Sequence, residues 1–330
     1  MAVLKAGAYG HDIKQIGKAL DSENVAFFGV ASVIEARKLA KIGVSTRIYL
    51  LGATFPDERA EVVAHRWTPC ISSVEEAEHF NQLNNGNAAL PIHITLDTGM
   101  GRGGFLPHTL NDAVETLRTF PNISIEGIGS HLPSADEDKE FTQAQFQTFE
   151  QAVKGCDFVF RYIHLSNSAG LLDYQSDVTN LVRPGLMLYG SSPIPEYSDS
   201  LKPVMSLKSR ISIVRELPKG HGISYGRSTI LEKDSRIATI GIGYGDGYPR
   251  CAGFNQAEVY IRGQRAPILG RITMDQIMVD VTHIPDAASG DEVELFGSNI
   301  PVSEVATKAN TIPWEILTRI TPRVTKVYLS

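Results

Sequence analysis

Cysteine is scarce in this chain. Cys70, Cys156 and Cys251 are odd in number, far apart and in no metal-ligand spacing. That excludes a disulfide-stapled scaffold and a thiolate metal site, and implies buried free thiols. No apolar run approaches the roughly 20 residues of a transmembrane helix. The first residues also lack the basic, apolar and small-residue sections of a secretory leader. Basic charge is in deficit, with 31 Lys and Arg against 37 Asp and Glu, so nothing prepares a surface for nucleic acid or an anionic membrane. These absences describe a cytoplasmic globular protein with no nucleic-acid or membrane partner. They say nothing of its chemistry.

What is present is a regular alternation. Short apolar runs at residues 2–4, 25–30, 46–51, 68–71, 92–96, 123–131, 162–165 and 181–189 are separated by amphipathic stretches. Ile13, Ile16 and Leu20, for example, recur at helical spacing. A doubly wound open sheet needs a similar alternation, but eight strand signals favour a (β/α)8 barrel of the TIM type. At 330 residues the chain has room for that barrel and an appendage.

From about residue 201 the pattern changes. Runs at 209–215, 237–242, 257–262, 277–281 and 292–296 read as strands with no helices between them, and Gly263-Gln264 as a hairpin turn. Only 303–308 and the neighbourhood of Trp314 read as helical. The expected organisation is a barrel over 1–200 and a mostly antiparallel β domain over 201–330.

In such a barrel chemistry belongs at the carboxyl ends of the strands. Lys5 follows the first run, Asp97 to Arg102 the fifth, and His131 closes the sixth. His164, Asn167 and Ser168 end the seventh, and Arg183, Gly185 and Leu186 lie in the eighth. Singly, each has an ordinary structural reading: a core histidine, an ion-paired arginine, a tight turn. Together they offer a phosphate corner after strands seven and eight, a lysine able to form an imine, and two forked cations. That combination suits pyridoxal phosphate better than a sugar phosphate, with no metal implied.

At this point the motifs resemble the alanine racemase family. They are Lys5-Ala-Gly-Ala-Tyr-Gly-His11, Asp97-Thr-Gly-Met-Gly-Arg102, His164-Leu-Ser-Asn-Ser168 and Arg183-Pro-Gly-Leu-Met-Leu-Tyr-Gly190. Further along come Ser224-Tyr-Gly226, Gly243-Tyr-Gly-Asp-Gly-Tyr-Pro-Arg250, Arg271-Ile-Thr-Met-Asp-Gln276 and Glu315-Ile-Leu-Thr-Arg-Ile-Thr-Pro-Arg323. The resemblance implies a pyridoxal phosphate enzyme that interconverts L- and D-alanine for peptidoglycan. It also implies a homodimer whose sites are completed across the interface. Lys5 would bind the cofactor covalently and serve as one base, and the partner subunit's Tyr225 as the other. Both are expected to titrate below their usual range, Tyr225 if it lies near Arg183 and His131. Arg183 would face the pyridine nitrogen, with His131 between it and the phenol. Arg102 and the partner subunit's Met274 would hold the substrate carboxylate, while the partner subunit's Tyr244 lines the entrance. Tyr9, Ser168, Gly185 and Leu186 would hold the phosphate, supported by Asn167, with His164 packing against the ring or supporting the residues that touch it.

The sequence departs from the family in four places. It opens almost at the lysine, where the family has a strand and a helix first. Gly7 replaces an Asp or Asn, Thr95 a lysine, and Trp314 a tyrosine. The readings left open are a racemase of wider range acting on serine, a barrel decarboxylase, a non-catalytic cofactor carrier, and a truncated relative that binds cofactor without turnover.

Overall fold

The structure is a computed structural model and describes residues 1–255 and 257–329. It divides into two compact units, Met1–Leu188 with Ser192–Asp199, and the remainder.

In the first unit, seven strands pair in parallel in chain order. They are β1 (Ala2–Val3), β2 (Phe27–Val30), β3 (Arg47–Leu50), β4 (Thr68–Ile71), β5 (Leu90–Thr95), β6 (Ile123–Gly129) and β7 (Tyr162–His164). Strands β2 and β4 are buried at every residue, which is why they read as unbroken apolar runs rather than alternating ones. Helices return the chain between strands on faces such as Leu110, Ala113, Val114 and Leu117. Ser32, Ser73 and Asp138 cap three of them by accepting the amides of Glu35, Glu76 and Phe141.

The expected eighth strand is the one correction to the barrel. Residues 181–184 lie beside β7 through a single bridge, His164 to Leu181, and the chain then enters a 3-10 turn at Leu186–Tyr189. Pro184 has no amide to donate, and Gly185 follows it, so a regular ladder stops there. The ring still closes by hydrogen bonds. Leu181 N and Arg183 N donate to Ile163 O and Ser166 O on one side, and Val3 N donates to Pro184 O at 3.1 Å on the other.

The second unit is all antiparallel around a closed six-stranded barrel. Its elements are β8 (Leu207–Leu217), β9 (Gly222–Ile223), β10 (Thr229–Ile230), β11 (Ser235–Ile240), β12 (Glu258–Ile261), β13 (Gln264–Leu269), β14 (Ile277–Asp280) and β15 (Glu292–Phe296). Ile237, Ile240, Val259, Ile261, Ile268, Val279 and Val293 fill its core. The hairpin between β12 and β13 turns at Arg262-Gly263, one residue earlier than expected. Both residues have positive φ, +48° and +82°, as a two-residue turn of this hand requires. Of the three thiols, all free, only Cys70 is buried, and Cys251 is exposed. Among the described residues no helix is long and apolar enough to cross a membrane.

Candidate active site

Lys5 leaves β1 into a left-handed turn. Ala6, Gly7, Ala8, Tyr9 and Gly10 have φ of +52°, +65°, +57°, +52° and +82°. Ala8 N donates to Leu4 O at 2.8 Å and Gly10 N to Ala6 O at 3.0 Å. Left-handed helix costs an L-residue about 1–2 kcal/mol, so surrounding contacts must hold this turn. Glu35 is one of them. Its two oxygens accept Gly7 N at 3.3 Å and Ala31 N at 2.9 Å, tying the turn to the next strand's loop. Gly7 bears its φ without penalty, and Asp and Asn are the next most tolerant residues there. The Lys5 amine is pushed below the ordinary lysine range by burial first and then by the charge of Arg102, with Glu35 opposing and Arg183 adding.

Arg183 is buried behind this amine. Its Nη1 donates to His164 Nδ1 at 2.6 Å and to His164 O at 2.9 Å. Its Nη2 donates to Ser130 O at 2.5 Å, Leu165 O at 3.0 Å and His131 Nδ1 at 3.3 Å. Burial, followed by the charges of Arg183, Arg102 and Lys5, holds His131 down to about 3. His131 is therefore neutral, and because arginine only donates, its proton sits on Nε2. His164, read from sequence as packing against the ring or supporting its contacts, is bonded directly to the arginine.

Arg102 is carried by a loop that Asp97 shapes. One carboxylate oxygen accepts Gly99 N, Met100 N and Gly101 N at 2.9, 2.9 and 3.1 Å. Thr95, at the end of β5, hydrogen-bonds the Cys70 thiol, which burial nonetheless pushes up to about 12.

Ser168 and Gly185 come together from two loops. Ser168 Oγ accepts Gly185 N at 3.0 Å and Met187 N at 3.4 Å. Asn167 accepts Gly170 N and donates to Leu132 O, fixing the loop that carries Ser168. A β-carbon at Gly185 would overlap the Tyr9 hydroxyl, so this corner is shaped for close approach. Leu186 is buried beside it.

In the second unit three loops carry the remaining residues. Tyr225 lies between Ser224 and Gly226, both at positive φ, and Ser224 Oγ donates to Arg271 O at 2.5 Å. Tyr244 N and Gly245 N donate to Thr273 O and Met274 O at 3.1 and 2.8 Å. The 271–276 loop thus joins the other two. Tyr225, Met274 and Tyr244 are exposed there at 68, 51 and 38%. Trp314 is the second residue of the helix Pro313–Thr318 in the same unit.

Sequence reasoning passed over Glu35, His93, Glu126 and Ser130. Only Glu35 carried a usable signal, since Ser32-x-x-Glu35 is a helix-start signature.

A lysine at the carboxyl end of the first strand of an α/β barrel, followed by a separate β barrel, is the architecture of the barrel enzymes that use pyridoxal phosphate. The chain belongs to the alanine racemase family. It matches "Alanine racemase, N-terminal domain" over residues 1–193 and "Alanine racemase, C-terminal domain" over 204–328. An alanine racemase of Halothermothrix orenii is 40% identical over 339 residues, covering 99% of this chain and 89% of that protein. The biosynthetic alanine racemase of Pseudomonas aeruginosa superposes with a TM-score of 0.92 at 35% identity, covering 100% of this chain and 92% of that one. The alanine racemase of Bartonella henselae, solved with covalently bound pyridoxal phosphate, gives 0.90 at 32%, covering 99% and 92%.

Proposed function

We propose that the protein interconverts L-alanine and D-alanine with pyridoxal phosphate, as a cytoplasmic homodimer supplying D-alanine for peptidoglycan. When bound, pyridoxal phosphate holds the substrate amine and withdraws electron density from its α-carbon, which makes the α-proton removable. The observation that carries the reading is Lys5, a half-buried amine at the end of β1 whose basicity is lowered by burial and by the charges of Arg102 and Arg183.

The residues fit the cofactor. Ser168 would offer a hydroxyl, Leu186 a backbone amide and Tyr9 a phenol, while Gly185, whose amide donates to Ser168 Oγ, lets the Tyr9 hydroxyl reach the corner by lacking a β-carbon. Asn167 keeps the Ser168 loop in place. Lys5 is the attachment point, and once the substrate displaces it, its Nζ takes or returns the α-proton on one face. Lowered basicity favours the neutral amine that this task needs.

Inversion requires a second base on the opposite face, and we assign it to the partner subunit's Tyr225. The exposure of Tyr225, Met274 and Tyr244 on one joined set of loops supports this reading. A second copy laid over them would exclude water from the reacting carbon. The partner subunit's Met274 would give a backbone N–H to the substrate carboxylate opposite Arg102, and the partner subunit's Tyr244 would border the entrance.

Arg183 would donate toward the ring nitrogen and keep its own proton, which moderates electron withdrawal and limits side reactions. His131, neutral with Nδ1 accepting from Arg183, has its Nε2–H available for the partner subunit's Tyr225.

Incubating either enantiomer of alanine with the cofactor-loaded protein in heavy water tests the reading. Deuterium at the α-carbon together with appearance of the other enantiomer is expected. A protein that binds the cofactor through Lys5 yet exchanges no α-proton would contradict it.

A further inference from the structure

Inside the barrel, two histidines that the proposed reaction does not use lie in line behind Arg183. His164 Nε2 is 2.9 Å from His93 Nδ1, and His93 Nε2 faces Glu126 Oε2 at 3.8 Å with no nearer partner. Glu126 is gripped by both guanidinium nitrogens of Arg47 at 2.9 and 2.6 Å and met by Arg161 at 3.4 Å. Both rings are fully buried.

The donor on each contact can be assigned from one end. Arginine has no acceptor, so His164 Nδ1 must accept from Arg183. Its one proton is then on Nε2 and is donated to His93 Nδ1. The proton of His93 is left on its own Nε2, facing the carboxylate. No other arrangement satisfies both contacts, because a charged His93 donating from Nδ1 would leave His164 with no proton at all. The two ring dipoles therefore point the same way, lone pairs toward the guanidinium and N–H groups toward the carboxylate.

Two features of β6 build this line. The register between β5 and β6 slips by one residue between Ile92 and His93, and Glu126 is the unpaired residue at the slip. Beyond it Gly127 and Gly129 stand opposite His93 and His164 in register. A β-carbon at Gly127 would lie 2.7 Å from the His93 ring, and one at Gly129 would overlap the His164 ring. The strand has been emptied on this face to make room for two imidazoles.

We propose that His93 and His164, with Glu126 facing the outer ring at 3.8 Å, form a one-directional line of imidazoles that positions Arg183. Glu126 and His93 are positioning residues for the site. Their kinetic consequence rests on the racemase reading, but the line itself does not. The charged and titratable groups facing the rings are Arg183, Arg47, Glu126, the Met1 amine, Tyr49 and Tyr162. Arg183 and Arg47 are cations, which disfavour a charged ring, the Met1 amine is lowered to about 6 by burial and Arg183, and Glu126 is the anion.

The test is ring nitrogen NMR on protein labelled at histidine, with and without cofactor. Both rings should show a bare Nδ1 and a protonated Nε2, unchanged from about pH 6 to about pH 9, the range in which an ordinary histidine finishes titrating. A charged ring, or a proton on either Nδ1, would overturn the line even if the enzyme racemises alanine normally. In kinetics, His93→Leu should lower kcat about tenfold with KM within about twofold, and His93→Gln, which keeps a donor and an acceptor, should recover most of the loss. Equal losses in both variants, or none in His93→Leu, would overturn the positioning role. A wild-type enzyme without turnover would count against the racemase reading alone, since the ring assignments need no activity.

Discussion

The hydroxyl of Tyr9 occupies the space that a β-carbon on Gly185 would need, so a residue within the lysine turn and the residue after Pro184 are fitted to each other. Adding one methyl there should push the phenol out of the phosphate corner. Gly185→Ala is expected to weaken pyridoxal phosphate binding at least about tenfold, read by cofactor absorbance in equilibrium titration. Tyr9→Phe in the same background should recover part of the loss by removing the clashing atom.

Asp97 holds the Arg102 loop through three amides on one oxygen, and its carboxyl lies below the usual range, burial being outweighed by those amides. Asp97→Ala should raise KM for alanine about tenfold, with less effect on kcat. The cost in stability should be about 1–3 kcal/mol for hydrogen bonds to a charged acceptor. Steady-state kinetics and urea unfolding of the same variant check both figures.

His131 gives the site a pH signature. Its folded value is about 3 against an ordinary 6.5, so the unfolded chain binds more protons between those limits. Stability therefore rises with pH across that window and is lost as pH falls through it. His131→Asn should show a flatter dependence of unfolding free energy between about pH 4 and about pH 6.5 than wild type. A slope that the substitution leaves unchanged would mean the ring is not held neutral.

How much of this was legible in the chain depends on whether a feature is periodic or positional. Strands such as β2 and β4, buried on both faces, announce themselves as apolar runs, and the helices between them by their 3.6-residue stripe. The eighth segment reads as a strand because it is apolar, yet Pro184 ends its ladder and the ring closes through the bonds of Val3 N to Pro184 O and of the Met1 amine to Val182 O. Lys5, Arg102, Ser168 and Arg183 stand out in the sequence because they sit at strand ends inside specific motifs. His93 was not, because a lone histidine in an apolar strand reads as core. Glu126 was invisible for a different reason, since its inward position comes from a one-residue register slip that leaves no trace in sequence. The left-handed turn after Lys5 was half legible, with Gly7 and Gly10 signalling it and Ala6 and Ala8 giving no sign.

The proposed division of one site between two chains makes a separate prediction. Lys5→Ala and Tyr225→Ala proteins should each be inactive as homodimers. Unfolded together and refolded, or co-expressed, they should form heterodimers with one intact site and regain activity. No recovery in demonstrated heterodimers would contradict completion of the site by the partner.

The central claim is that Lys5 of this chain drives inversion at the α-carbon of alanine. Polarimetry of L-alanine with the cofactor-loaded protein, beside Lys5→Ala, tests it most directly. The account predicts decay of rotation to that of a racemic mixture with wild type and none with the variant. A rotation that holds steady with wild type, although borohydride fixes the cofactor to Lys5, would contradict it.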